Sequence, residues 1–183
     1  MEITKSVTNQ KLLKIFFAIV VGSIVLTISS KIKIPFYPVP MTMQTFVVLF
    51  LGIAFGSKIA LATISLYLLE GILGMPVFSN SPEKGVGLVY FTGPTMGYLI
   101  GFLFSGFISG YINLNTKLYL VLFKLILTVS VIYILGMLWL GILIGWDKPI
   151  FELGAKPFLL AELFKILILS LLAKKIIKIR NFI

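Results

Sequence analysis

The chain has no cysteine and no histidine, and it contains only six acidic residues among 183. Without cysteine, disulfide and thiolate chemistry is excluded. Without histidine, the commonest general base and the commonest metal ligand are absent. So small a stock of carboxylates also disfavours a metal cage or a paired-carboxylate hydrolase. We therefore expect no catalytic residue, no metal site, no cofactor and no enzyme activity.

Charged residues are scarce as well, at 12%, whereas 59% of the residues are hydrophobic and the mean hydropathy is +1.11. Soluble domains are about 45–50% apolar and about 25% charged. A protein of this length cannot bury such an apolar excess in its own core, so the expected solvent is a lipid bilayer. The length favours a single domain over residues 1–183.

The net charge of +10 has two interpretations, nucleic-acid binding or membrane orientation. Basic residues that flank hydrophobic spans and orient them in a bilayer explain the charge better, so no nucleic-acid partner is expected. The apolar run after Lys5, Lys11 and Lys14 resembles a signal peptide. Because no small-residue cleavage site follows that run, it is predicted to be a retained first helix.

Six apolar spans predict an all-α membrane protein with six transmembrane helices. A helix needs about 20 residues to cross the hydrocarbon core, with a range of about 17–25. The second span is short and the fifth is long, and both remain plausible once tilt is allowed. The spans cover residues 12–30, 42–56, 58–75, 94–112, 118–146 and 157–177.

The connections between spans fall into two sets that differ in charge and in proline content. The set with both termini carries nine bases and one acid, Glu2, whereas the other set carries five bases and three acids. Since the more basic side is usually cytoplasmic, both termini are predicted to lie on the cytoplasmic side of the cell membrane. All eight prolines lie in the outer loops or at the helix starts that leave them. This asymmetry predicts a conformationally restricted outer surface that receives a ligand from outside.

The last span contains a carboxylate and an ammonium three residues apart, at Glu162 and Lys165. This spacing places both on one helical face, and charges at such depth usually face a protein interior or a water-filled cavity. The alternative is a salt bridge that only locks helices together, yet buried ion pairs often add little stability compared with apolar packing. A binding site at Glu162 and Lys165 is therefore the preferred hypothesis.

Three other polar residues lie in or beside the spans. Glu70, near the outer end of the third span, either lines the same cavity or extends to the interface, and both alternatives stay open. Gln44, at the outer start of the second span, is more often a cap or a helix–helix hydrogen bond than a ligand contact. Lys124, near the inner end of the fifth span, is explained by its side chain reaching back to the interface.

The outer connection between the third and fourth helices runs over residues 76–93, and loops of this length tend to be lids or binding loops. Its aromatic residues Phe78, Tyr90 and Phe91 are not what a solvated tether needs. They predict a long, structured loop that folds down onto the protein as a cap. The pair Gly85-x-Gly87 lacks the strand context and the GK[ST] pattern of a phosphate loop.

Small residues recur every four positions in several spans, as at Ala18 and Gly22 in the first. Such faces let helices pack closely in lipid. Internal packing is the preferred interpretation for the fourth span. The pair in the first span could equally form a docking face for another membrane protein.

Five of these segments together resemble the BioY family, the biotin-specific S components of energy-coupling-factor (ECF) transporters. They occur in the order expected for that family, which makes chance similarity a poor explanation. The segments are VPMTMQT (39–45), LYLLEGILGMPVF (66–78), GPTMGY (93–98), LGMLWL (135–140) and PFLLAELFK (157–165).

The resemblance implies six helices and an outward-facing biotin pocket. It equates the family's loop asparagine with Asn80, and the acid and lysine of the last helix with Glu162 and Lys165. At the position of this acid, the family is expected to have aspartate at least as often as glutamate, and this chain has the glutamate Glu162. The Ala-x-x-x-Ala motif with which the family meets its transmembrane coupling protein corresponds to Ala18-x-x-x-Gly22. Two ABC-type ATPases are the other implied partners.

The chemistry of biotin agrees with the polar residues available. A pocket for it needs an acceptor for the ureido N–H groups, a donor for the ureido carbonyl, apolar walls, and a cation or donors for the carboxylate tail. Glu162 can accept, Lys165 can donate and Asn80 can do both, and which group meets the ring stays open. The predicted ligand-binding set is Asn80, Glu162, Lys165, Glu70, Gln44 and Tyr90, with Phe78, Tyr90, Phe91 and Trp139 available as walls.

The predicted function is capture of biotin at the outer face of the cell membrane. Because the chain has no nucleotide-binding motif, delivery requires the coupling protein and the ATPases, and the resemblance implies that the whole subunit topples to release its ligand. The first alternative is an S component for another vitamin, such as thiamine or riboflavin. The others are a lipid-modifying membrane enzyme with Glu70 or Glu162 as base, and a purely structural membrane subunit.

Overall fold

Long helices form where the apolar spans lie, because a backbone in lipid must satisfy its polar groups within its own segment. The computed structural model describes residues 2–34 and 37–182. The α-helices are α1 (Glu2–Lys31), α2 (Gln44–Phe55), α3 (Ser57–Ile72), α4 (Met96–Ser109), α5 (Leu118–Ile144), α6 (Ile150–Gly154) and α7 (Leu159–Ile176). Three 3-10 segments cover Gly87–Thr92, Lys156–Phe158 and Ile177–Phe182.

The mostly helical architecture is confirmed, and each predicted span coincides with one of the longer helices. Within the described residues, two segments are long and apolar enough to cross a membrane, Asn9–Lys31 and Leu118–Ile144. The apolar helices α2 and α4 are shorter, with 12 and 14 residues. The number of membrane crossings therefore stays a prediction.

A short strand pair departs from the all-α prediction. Strand β1 (Lys33–Ile34) pairs antiparallel with β2 (Met41–Thr42). A ladder of two residues has no periodicity that the sequence could reveal. Because the ladder takes up Met41 and Thr42, α2 begins at Gln44, later than the start of the predicted span. The pair holds the segment before α2 against the end of α1.

Close approach of α4 to α5 forms the centre of the helix packing, and α4 also contacts α2 and α3. A Cβ atom on Gly97 would lie 2.3 Å from the Leu135 carbonyl oxygen, and one on Gly101 would lie 2.6 Å from Ile132 Cα. No residue other than glycine fits at these distances. The preferred interpretation of the small residues in the fourth span, internal packing, is confirmed.

The two ends of the helix bundle differ in their connections. The loop end comprises residues 31–34, 37–45, 73–95 and 145–158, and the Arg180 end comprises residues 53–58, 109–118 and 174–182. At the loop end, Phe78 is 1% exposed and its ring stacks on Tyr90 with centroids 4.6 Å apart. The Lys31 ammonium donates to the carbonyls of Phe78 (2.7 Å) and Ser81 (3.0 Å). The predicted cap is thus confirmed.

Candidate ligand-binding site

A cavity lies at the loop end, between the starts of α2, α4 and α7 and the second half of α5, beneath the residues 76–95 that connect α3 to α4. Its free volume is about 50 Å³. Aromatic rings form much of its wall, and polar groups converge from the segment before α2, from α5 and from α7. The aromatic lining residues are Phe78, Tyr90, Tyr98, Phe102, Tyr133 and Phe158.

Glu162 and Lys165 form an ion pair that lines this cavity, with 3.0 Å between Lys165 Nζ and Glu162 Oε2. The two residues are only 3% and 6% exposed. Lys165 Nζ also donates to the Thr42 carbonyl oxygen (3.0 Å) and to Thr45 Oγ1 (2.7 Å). The ammonium therefore has three acceptors for its three N–H donors.

The two carboxylate oxygens of Glu162 have different surroundings. Oε2 accepts from Thr45 Oγ1 (3.1 Å) and from the Tyr133 hydroxyl (2.9 Å), in addition to Lys165. Oε1 is buried and has no hydrogen-bond partner among the described residues. Leaving a buried acceptor unpaired costs about 1–3 kcal/mol, and more for a charged group. A donor supplied by a bound molecule is the natural partner for such an oxygen.

Glu162 and Tyr133 also line a second cavity, a groove between α5 and α7 of about 330 Å³. Most of its other lining residues are apolar, among them Phe151 and Leu163, which are more than half exposed. The two side chains therefore lie between the capped cavity and an apolar groove on the surface of the bundle.

Gln44 lines the main cavity, but its amide already has partners in the protein. Its Nε2 donates to the Tyr67 hydroxyl (2.7 Å), which in turn donates to the Val77 carbonyl oxygen (3.1 Å). The helix–helix hydrogen bond considered for Gln44 is confirmed. The chain of bonds connects the start of α2 to the cap through α3.

Two predicted ligand residues, Asn80 and Glu70, do not line the main cavity. Asn80 Oδ1 accepts from Lys33 Nζ (3.0 Å), and Asn80 lines a neighbouring pocket of about 230 Å³. Tyr90 lines both the cavity and this pocket, and its contact with a ligand stays a prediction. Glu70 instead accepts a hydrogen bond from Ser23 of α1. That contact gives the carboxylate a partner between two helices, which neither alternative for Glu70 anticipated.

Two of the four predicted wall residues stand behind the cavity rather than lining it. Phe91 packs edge-on against Phe78, with ring centroids 5.4 Å apart. The indole N–H of Trp139 donates to the Gly93 carbonyl oxygen at 2.8 Å. Both hold the cap in place, whereas Phe78 and Tyr90 line the cavity as expected.

The docking face predicted at Ala18 and Gly22 needs correction at Gly22. A Cβ atom there would lie 2.6 Å from Thr63 Cγ2 and 3.1 Å from Leu51 Cδ2. Gly22 is buried because it lets α1 approach α3 and α2, so it is not available to another protein in this structure. Ala18 is half-buried, and its docking role stays a prediction.

Sequence reasoning missed several residues that line the cavity, among them the hydroxyl-bearing residues Thr42, Thr45, Tyr98 and Tyr133. Thr42 and Thr45 lie in the same segment as Gln44, but hydroxyl groups are common at helix starts and carry no signal of their own. Tyr133 had a usable signal, since a phenol within a long apolar helix needs a hydrogen-bond partner. Tyr98 uses its hydroxyl to bond the Gly154 carbonyl oxygen at 2.7 Å.

Fold and cavity together define a class, the helical membrane proteins with a capped cavity that has a buried ion pair in its wall. A sequence model of the BioY family matches residues 4–182. The chain is 31% identical over 150 residues to a probable biotin transporter BioY of Pyrococcus horikoshii, covering 82% of this chain and 88% of that protein. It is 31% identical over 155 residues to a biotin transporter BioY of Thermotoga maritima, covering 84% and 90%. The chain belongs to the BioY family.

A solved structure shares the fold. It is a crystal structure of the S-component for biotin from an ECF-type ABC transporter, with a TM-score of 0.77 over 93% of this chain and 94% of that chain. At 21% identity, this similarity concerns the fold alone. Because the relatives are named as transporters, the alternative of a lipid-modifying membrane enzyme is not supported.

Proposed function

We propose that this chain is the biotin-binding S component of an ECF-type vitamin uptake transporter. The observation that carries the proposal is the unpartnered Glu162 Oε1, buried beside Lys165 at a capped cavity. The names of the relatives supply the ligand, since they are called biotin transporters. No cofactor is expected, and biotin is the transported ligand.

The donors and acceptors of the cavity favour one orientation of biotin. Lys165 uses all three N–H donors within the protein, so we expect it to hold Glu162 and Thr45 in place rather than to bind the carboxylate tail. Glu162 Oε1 is left to accept from a ureido N–H. The ring is therefore assigned to the main cavity.

The carboxylate tail fits the neighbouring pocket that shares Tyr90 and Thr95 with the main cavity. Asn80 and Lys84 line that pocket, and an amide N–H and an ammonium are suitable donors to a carboxylate. This arrangement keeps Asn80 in the ligand-binding set as a contact to the tail. Glu70 is not part of it.

Binding requires the site to open. A free volume of about 50 Å³ is well below the roughly 300–1,000 Å³ of ligand-binding pockets. We expect the cap to be the element that moves, because it covers the cavity and hydrogen bonds from Lys31 and Lys33 to its carbonyls join it to the end of α1. Opening must also separate part of the apolar packing around Phe78. We expect the cap to swing outward on ligand entry and to close again over the bound ring.

In the proposed topology, residues 1–183 form one domain in the cell membrane, with six crossings and both termini in the cytoplasm. The loop end then faces outward and the Arg180 end inward. At about 1.5 Å per residue, α2 and α4 are shorter than the hydrocarbon core, so we expect their flanking loops and local bilayer thinning to complete the crossings. Transport then needs the coupling protein and two ABC-type ATPases, with Ala18 on the proposed docking face.

The deciding experiment measures equilibrium binding of biotin, thiamine and riboflavin to the purified protein. We expect biotin to bind far more tightly than the other two, and protein from ordinary medium to carry biotin with it. Tighter binding of thiamine or riboflavin would mean that biotin is not the substrate, although the protein would still be a vitamin-binding S component. Absence of binding for all three would support the purely structural subunit.

A further inference from the structure

A further cavity lies at the Arg180 end, in a groove between α4 and α5 that is separate from the main cavity and from the groove between α5 and α7. Its free volume is about 370 Å³, which is within the range of about 300–1,000 Å³ found for small-ligand sites. Lys124 of α5 lines the groove together with Tyr111 and Asn113, which follow α4. We propose that this groove binds the headgroup of an anionic phospholipid.

The charge of Lys124 has no counterpart within the described residues. Their ion pairs join Lys148 to Asp147, Lys156 to Glu152 and Lys165 to Glu162, so Lys124 takes part in none. The whole sequence has six acids, and in the proposed topology Glu2 alone lies on the inner side. Lys124 therefore has a charge that an anion from outside the chain can pair with.

The depth of Lys124 suits a phospholipid headgroup. It lies two turns into α5, about 9 Å along the helix axis from Leu118 at a rise of about 1.5 Å per residue. A lysine at that depth keeps its stem in apolar surroundings and extends its ammonium toward the interface. Asn113 and Tyr111 provide further polar groups between the end of α4 and the solvent.

The remaining lining of the groove suits acyl chains. Ile108 and Leu127 are 40% and 53% exposed, and both line the groove beside Lys124. A site with one cation and two polar groups at its rim and an exposed apolar floor matches the two parts of a phospholipid. Basic pockets between helices on the cytoplasmic side are a known setting for anionic headgroups.

The proposal rests on the membrane orientation given above, but not on the identity of the transported vitamin. The test is native mass spectrometry of the purified full-length protein with phosphatidylglycerol and phosphatidylcholine. We expect the wild type to retain phosphatidylglycerol preferentially. Lys124→Gln should reduce this preference about fivefold, the effect of one basic residue near an anionic lipid surface.

Two further variants keep the test decisive. Lys117→Gln removes an exposed lysine near the same helix start that does not line the groove, so it should change the preference much less. Asn113→Asp keeps the acceptor for the Asn115 N–H and adds a negative charge, so it should weaken retention of phosphatidylglycerol as Lys124→Gln does.

Three outcomes would overturn the proposal: equal retention of the two lipids by the wild type, equal effects of Lys124→Gln and Lys117→Gln, or displacement of the lipid by inorganic phosphate at similar concentration. Biotin binding measured on the same samples separates this test from the proposed function. Retained biotin binding in Lys124→Gln shows an intact fold. If the wild type does not bind biotin, the transporter assignment is contradicted. The measured preference for phosphatidylglycerol would still support the lipid site.

Discussion

Each end of the bundle has a cation that joins neighbouring segments, Lys165 at the loop end and Arg180 at the opposite end, and the two have different partners. At the loop end, Lys165 holds a carboxylate that keeps one buried oxygen free of partners. At the opposite end, Arg180 bonds only backbone carbonyls at the ends of α2 and α4. Its Nε donates to Ile53 (2.8 Å) and its Nη2 to Gly52 and Gly110 (2.8 Å each).

The difference distinguishes the proposed binding site from a structural clamp. Arg180 meets neutral acceptors with the fixed geometry of its guanidinium, and burial among the helix ends lowers its pKa from the ordinary value. Its partners leave no charged oxygen unpaired. Glu162, in contrast, is a full charge with an unfilled acceptor position, and it lines a cavity. Burial of charge alone therefore does not identify a site, whereas incomplete pairing beside a cavity does.

The largest effect is expected for Glu162→Ala at the loop end. Removing one member of a buried ion pair typically costs about 3–5 kcal/mol, so biotin should bind at least about 100-fold more weakly. Isothermal titration calorimetry in detergent measures this. Glu152→Ala is the matched control, because its ion pair with Lys156 is exposed and its affinity for biotin should stay unchanged. Unchanged affinity in purified Glu162→Ala protein would mean that the carboxylate is structural.

Arg180→Ala should have the opposite effect to Glu162→Ala. We expect a loss of stability and little change in the affinity for biotin. Hydrogen bonds to a charged group contribute about 1.5–3 kcal/mol, so we expect a loss of about 3 kcal/mol in the free energy of unfolding. Denaturant unfolding in micelles measures the loss, and Lys178→Ala, an exposed neighbour, is the control. The comparison between the ends breaks down if folded Arg180→Ala protein loses affinity for biotin as strongly as Glu162→Ala does.

Tyr133→Phe removes one donor to Glu162 Oε2 while keeping the ring in the wall of the cavity. A hydrogen bond to a charged group contributes about 1.5 kcal/mol. If binding depends on it, its loss should weaken the affinity for biotin roughly tenfold. Tyr119→Phe, at a ring 61% exposed, is the control in the same titration. An effect equal to that of the control would show that Tyr133 does not orient the carboxylate.

The smallest effect is expected for Glu70→Gln. Its carboxylate pairs with Ser23 between α1 and α3 and does not line the cavity, and Gln keeps an acceptor for the serine hydroxyl. Affinity for biotin should change by less than about twofold, or about 0.4 kcal/mol. A loss as large as that of Tyr133→Phe would return Glu70 to the binding site and place the ligand differently.

Local pattern was sufficient for the helices, the cap and the ion pair. Apolar runs identify helices because each run must satisfy its own backbone in lipid. Glu162 and Lys165 could be paired because a spacing of three residues places them on one face of the same helix. Aromatic residues in the long connection indicated that the loop folds onto the protein, because Phe78 and Tyr90 would be costly to leave in water.

Contacts between distant segments were not accessible to that reasoning. Thr45 and Tyr133 meet one carboxylate oxygen from elements far apart in the chain. The contacts of Glu70 with Ser23 and of Gly22 with Thr63 were not foreseen, because they depend on which neighbour each helix face meets. Periodicity indicates that a face is buried, but it does not say against what.

The sequence by itself determined the apolar character of the surroundings, the helices, the family resemblance and the pairing of Glu162 with Lys165, because each follows from composition or from spacing within one segment. Tertiary structure decided which oxygen of Glu162 lacks a partner, why Asn80 and Glu70 stand apart from the main cavity, and which cation is only a clamp. These depend on the rotation and the register of packed helices. Many rotations bury the same apolar surface, and the packing of all the helices together selects one of them.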